Sequence, residues 1–371
     1  MLKMKITSII FLLFAVSLAS AELQQEAIAK TLTAKKGGTL EVKVNPGDIQ
    51  INTWEKDQVL VKVDGLDQDD EKALKLDEQN GNVTVNYTGK WGWGRSAEYS
   101  ITVPQNYNLD LHTTGGDIEI ETDINGNVAV NTMGGDIELK SVSGNVKLET
   151  MGGDISLNNV DGTTYLSTQG GDIKADNLKG FVEGIKTMGG DIEIESIAGS
   201  KKVTTFGGRI KVNLAKEKLE VTTFGGNIEL GRCLNGVDAS THGGNIAIKE
   251  ANGKVDVSTG GGNISLHKIN GEVRAKTGAG NIYLGLQSLT GKSNLRTGSG
   301  DIEIQLSSGI KAEVYADVES YNRNGKDLIK SDFEGRISTE RHNVIGQFEI
   351  NGGGPEINLR VNNGTVTIKK Q

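Results

Sequence analysis

Five aspartates hold one place in a recurring phrase: Asp117, Asp136, Asp154, Asp172 and Asp191 each follow a pair of glycines, and Asp301 holds the same place further on. Carboxylates stacked about 5 Å apart would repel by roughly 0.8 kcal/mol per neighbouring pair in water. A bridging Ca²⁺ would relieve that repulsion, because hard cations take carboxylate oxygens. The intervening copies, however, carry Arg209, Asn227, Asn245, Asn263 and Asn281 at this place. What Asp and Asn share is the ability to bond nearby turn amides, so a structural role is the better reading and no metal is expected.

Other reactive side chains are sparse. His112, His242, His267 and His342 are scattered, and no Ser/His/Asp or metal-ligand spacing emerges. The stretch Gly285 to Ser293 looks like a phosphate loop, but it has one residue too many between its glycines and lies between strands. The pair Trp91 and Trp93, with Arg95, could stack on a sugar; a Trp at the end of a repeat array more often plugs its core. Catalysis is therefore not expected, and neither is a cofactor.

The elements that must position these residues are set by repetition. The second glycine of the phrase falls at 116, 135, 153, 171, 190, 208, 226, 244, 262, 280 and 300, at intervals of 18 to 20 residues. Between glycine pairs the pattern alternates: Val128, Val130 and Thr132 share one parity, and Ile137 and Leu139 resume it after the turn. Alternation with glycine corners means short strands with one face buried. An 18-residue unit cannot bury that face alone, but stacked units share a core. The expected fold is all-β: a single-stranded parallel β-helix, or solenoid, with right-handed winding inferred from the handedness of parallel crossovers. A left-handed hexapeptide helix would need an aliphatic residue every six positions, and a calcium β-roll would need Gly-Gly-x-Gly-x-Asp nonapeptides. Neither pattern is present. Gly353-Gly354, lying 54 residues beyond Gly300, reads as three further periods, which gives a repeat rod of roughly 60 Å.

The register also sorts side chains into columns. Cys233 lies seven residues after Gly226, the slot of Val142, Val160, Leu178, Ile197 and Ile269, so it reads as core filling. The residue before the glycine pair reads Met133, Met151, Gln169, Met188, Phe206, Phe224 and His242, then Gly260 and Gly278. By parity this column points outward, as an apolar stripe of a kind that usually marks a partner. The competing reading folds these side chains inward at the corner, or covers them with residues 311–350.

The expected organisation is a signal peptide at 1–21, a β-rich cap region at 22–110, regular repeats at 111–304, and irregular coils with a second cap at 305–371. The leader is read from Lys3, Lys5, the apolar run Ile6 to Leu18, and Ala19-Ser20-Ala21. A short helix is expected through Glu71 to Leu76. Without residues 1–21 the chain keeps 38 basic and 48 acidic residues, a net charge of −10 that disfavours nucleic acid. No later stretch is long and apolar enough to be membrane-embedded, so a periplasmic, secreted or cell-surface location is expected.

Three pieces in order carry a resemblance: Gly47-Asp48-Ile49-Gln50-Ile51-Asn52-Thr53-Trp54-Glu55-Lys56-Asp57-Gln58-Val59-Leu60-Val61, then Ile101-Thr102-Val103-Pro104, then Ile357-Asn358-Leu359-Arg360-Val361-Asn362-Asn363-Gly364-Thr365-Val366-Thr367-Ile368. Over roughly residues 38–370 the chain resembles a family of exported bacterial β-helix proteins of unknown function, named "putative adhesins". The resemblance implies a β-helix and an envelope location, and carries over no active site. The functional expectation is an adhesin-like binding module for an envelope or surface protein or glycan, of open oligomeric state. A structural rod is the alternative, and a polysaccharide-active enzyme the least favoured.

Overall fold

The computed structural model describes residues 28–66, 71–89, 97–200, 202–319 and 327–371. The expected signal peptide and the residues Trp91, Trp93 and Arg95 lie outside them.

The described residues are almost entirely strand, and the strands stack as a parallel β-solenoid. In each coil a short strand precedes the glycine pair and another follows it. Val128–Asn131 pairs in parallel with Val146–Glu149, which pairs with Thr164–Ser167, and so on along the rod. Like residues meet in register: Val142, Val160, Leu178, Ile197, Ala215, Cys233, Ala251 and Ile269 form one continuous inward column. Every one of these is buried. Cys233 is core, as its register requires, and burial pushes its thiol pKa up to about 12.

Two features close the glycine corner. The second glycine stands where neighbouring backbones nearly touch; a Cβ on Gly208 would lie 2.0 Å from the Gly190 carbonyl oxygen. The first glycine is open by comparison, since the nearest atom to a Cβ on Gly207 would be 3.4 Å away. Beside the corner runs a buried threonine column from Thr113 to Thr297. The Thr205 hydroxyl donates to the Gly190 carbonyl of the preceding coil at 2.8 Å and accepts the Gly208 amide of its own turn at 3.2 Å. The same pair of bonds recurs at Thr150, Thr168, Thr187, Thr223, Thr241 and Thr259. A polar residue is tolerated in the core because the hydroxyl is satisfied in both roles.

Both ends are built by insertion. Rungs in register with the repeats begin at Thr39–Val44, well before residue 111. This coil sits between Asn82–Asn86 on one side and Asn108–Thr113 on the other. Antiparallel strands then cover the outer edge: Gln58–Asp64 on Ala97–Pro104, Ile28–Thr33 on Gln58–Asp64, and Lys75–Gln79 on Asn82–Asn86. Of the helix expected at 71–76, only Glu71 is helical among the described residues; Lys72 and Ala73 form a turn, and Leu76 pairs with Val85 as part of that covering strand. At the other end Glu356–Asn363 slots between Ser293–Ser299 and Ala312–Glu319, and Asn343–Ile350 covers the outermost rung antiparallel.

This arrangement corrects the reading of Gly353-Gly354 as three further periods. The glycine that continues the corner is Gly364, whose Cβ position lies 2.0 Å from the Gly300 carbonyl oxygen. The intervening residues make one outer rung and an antiparallel cover. From Asn82–Asn86 to Ala312–Glu319 the described strands before the corner stack in fifteen rungs. At about 4.8 Å per rung this spans roughly 67 Å.

Candidate functional site

The residue before the glycine pair follows a buried threonine, so strand alternation turns it outward. Backbone bonds across the corner hold successive copies in line: the Phe224 amide donates to the Phe206 carbonyl at 3.1 Å, and the His242 amide to the Phe224 carbonyl at 3.0 Å. Met133, Met151, Met188, Phe206 and Phe224 are each between 48% and 61% exposed, and Gln169 and His242 are exposed with them. The described residues of 311–350 do not cover them. The Phe206 and Phe224 rings lie 4.9 Å apart with planes 2° from parallel, and His242 continues the stack at 4.8 Å and 6°.

The stripe has defined ends. On one side its column passes to Thr114, whose hydroxyl bonds the Asn45 side chain. On the other it passes to Gly260, Gly278 and Gly298, which carry no side chain. The seven positions between span about 29 Å. Phe181, Leu234, Tyr315 and Ile337 are exposed as well, but stand outside this column. A stripe of this size exceeds the scattered apolar exposure normal for a surface.

The aspartate column runs alongside, three residues further on. Each side chain reaches across to the next coil: Oδ1 of Asp136 accepts the Asp154 amide at 2.7 Å, Asp154 the Asp172 amide at 2.7 Å, and Asp172 the Asp191 amide at 2.7 Å. Asn227, Asn245 and Asn263 do the same for the coils above them. Asn can replace Asp because the bond uses the oxygen that both possess. Arg209 interrupts the ladder; its Nε lies 3.7 Å from the Asp191 carboxylate. Among the described residues no group of three or more His, Cys, Asp or Glu is arranged to hold a metal.

His112 bonds Asp110 at 2.8 Å, His267 tilts against Tyr283 with ring centroids 5.2 Å apart, and His242 belongs to the stripe. These positions are separated along the rod. A shallow depression of about 890 Å³ is lined by Lys147, Glu149, Tyr165 and neighbouring asparagines, and its one close ion pair is Lys147–Glu149 at 2.8 Å. A feature the sequence reading missed is a run of adjacent cations, Lys276, Arg296 and Arg360, that share one outward column. It was legible only once Glu356–Asn363 was known to insert beside Ser293–Ser299.

The family described as Toastrack DUF4097 matches residues 38–254, more than half of the chain. The chain belongs to that family. The matched segment of this Toastrack protein contains the whole stripe, from Met133 to His242. Solved structures resemble it too. A "putative adhesin" from Parabacteroides distasonis is 14% identical, covers 73% of this chain and 97% of its own, and has a TM-score of 0.34. A "putative adhesin" from Bacteroides fragilis is 13% identical over 94% of this chain and 98% of its own, with a TM-score of 0.23. A "putative cell adhesion protein" from Clostridium sporogenes is 10% identical over 93% of this chain and 100% of its own, with a TM-score of 0.17. No curated protein matches the chain. No helix of the described residues is long and apolar enough to cross a membrane.

Proposed function

We propose that this Toastrack protein is a non-catalytic, adhesin-like binding module of the cell envelope. Its binding face is the corner stripe Met133, Met151, Met188, Phe206, Phe224 and His242. The observation that carries the reading is the exposure of this column, apolar at every place but Gln169 and His242, on the outside of a rod whose inward columns are buried. Desolvating large flexible and aromatic side chains is a common source of binding free energy. The leader read at residues 1–21 supports delivery to the periplasm or beyond. Trp91, Trp93 and Arg95 remain a second candidate contact for a glycan.

A structural rod is the second reading, favoured by the way Thr39–Val44 and Glu356–Asn363 are each sandwiched between two other rungs of the stack. The two separate in one experiment. Envelope fractions are passed over the immobilised protein and over its Phe206→Ser, Phe224→Ser variant. A binding module loses its captured partners in the variant while the circular dichroism spectrum stays unchanged. An identical set on both columns, or none on either, would leave the rod.

A further inference from the structure

The order of residues along the stripe is not symmetrical. Methionines occupy one half and rings the other, with Met188 at the centre. The flanking ladder divides at the same height, from Asp136, Asp154 and Asp172 below Asp191 to Arg209, Asn227 and Asn245 above it. A two-fold axis perpendicular to the rod through Met188 exchanges the halves.

We propose that the stripe pairs with the stripe of a second copy of this chain, the two rods lying antiparallel. This rests on the stripe being a binding face, and names what it binds. In that arrangement Met133 meets His242 of the second copy, Met151 meets Phe224, and Gln169 meets Phe206. Thioether sulfur packs favourably against aromatic rings, and the edges of the stacked rings are the part left open to solvent. In the ladder Asp172 faces Arg209 of the second copy, and Asp136 and Asp154 face Asn245 and Asn227. Each of these three acidic rungs thus meets a neutral or basic one. The two Asp191 carboxylates approach each other at the axis, and each has its own Arg209 3.7 Å away. On the other flank Glu149 faces Thr222 and Ser167 faces Thr204, while the two Lys186 side chains meet at the axis. A parallel pairing would put methionine on methionine and ring on ring, without the sulfur–ring contacts.

The contact is small. A strip about 29 Å long and two to three columns wide buries roughly 1,000 Å² over both copies, at the lower limit for a specific interface. The expected complex is a reversible dimer with a dissociation constant in the micromolar range or weaker.

Sedimentation velocity over a concentration series, followed by cysteine cross-linking, tests the pairing. The purified protein should shift from monomer to dimer with concentration. Phe206→Ser, Phe224→Ser should weaken the dimer at least about tenfold, and Arg209→Glu should weaken it less. The native Cys233 is buried, so introduced cysteines report alone. Met188→Cys should form a disulfide-linked dimer under mild oxidation. Met133→Cys alone should form no disulfide-linked dimer, because its copies lie about six rungs apart, and should link when mixed with His242→Cys. A protein that remains monomeric throughout overturns the pairing. So does self-linking of Met133→Cys as fast as that of Met188→Cys, which would mean parallel rods. If the protein stays monomeric yet its captured envelope partners depend on Phe206 and Phe224, the binding face stands and self-pairing falls. If neither depends on them, both fall.

Discussion

Phe206 and Phe224, one coil apart, hold their rings 4.9 Å from each other and within 2° of parallel on the outside of the rod. The spacing is the rung spacing of the sheet beneath, so the fold sets the stack and the rings gain only the modest attraction of an aromatic pair. Phe224→Ala should therefore cost no more than about 1 kcal/mol in urea unfolding, because the side chain is half exposed. A loss of 3 kcal/mol or more would mean that the stripe is needed for folding rather than left for a partner.

Thr205 should matter more to the fold than either ring. Thr205→Val keeps the shape but removes the donor to Gly190 and the acceptor for the Gly208 amide. Leaving those buried groups unpaired should cost about 2–3 kcal/mol, and Thr205→Ser should recover most of it. Chemical denaturation of the three proteins checks the order.

The two glycines of one corner should respond in opposite ways. Gly208→Ala forces a methyl group to 2.0 Å from a backbone oxygen and should destabilise by about 3 kcal/mol or more. Gly207→Ala meets nothing closer than 3.4 Å and should stay within about 1 kcal/mol of the parent. Melting curves of the two variants give the comparison directly.

Cys233 should be inert in the folded chain. Its pKa of about 12 keeps the thiol protonated at pH 8, and the thiolate is the reactive form. A thiol-specific chromogenic reagent should find no reactive sulfur in native buffer and one per chain in strong denaturant. Rapid labelling of the native protein would mean that the core opens at that coil.

The solenoid was legible in the sequence because its signal is local and repeated: a glycine pair every 18 or so residues fixes the corner, and parity from that corner assigns Val142 and Cys233 to the core. The same parity pointed the Met133-to-His242 column outward, and the structure adds that no described residue folds over it. The ends were not legible. Whether Thr39–Val44 lies outside or inside the stack depends on pairings with residues 43 and 69 positions away, which no local pattern encodes. Gly353-Gly354 misled for the same reason: it copies the corner phrase, but Gly364 occupies the corner. The acidic ladder was read correctly as backbone bonding. Its acceptors, however, serve the next coil rather than their own turn, a distinction that only stacking reveals.

The most direct measurement is site-specific photo-cross-linking in envelope extracts, with a benzophenone side chain placed at Phe224 in one sample and at Leu234 in another. Leu234 is also exposed but stands outside the stripe. A binding face at the stripe predicts a discrete cross-linked species from position 224, whether to a second copy or to another protein, and none from position 234. Equal products from both positions, or none from 224, would contradict it.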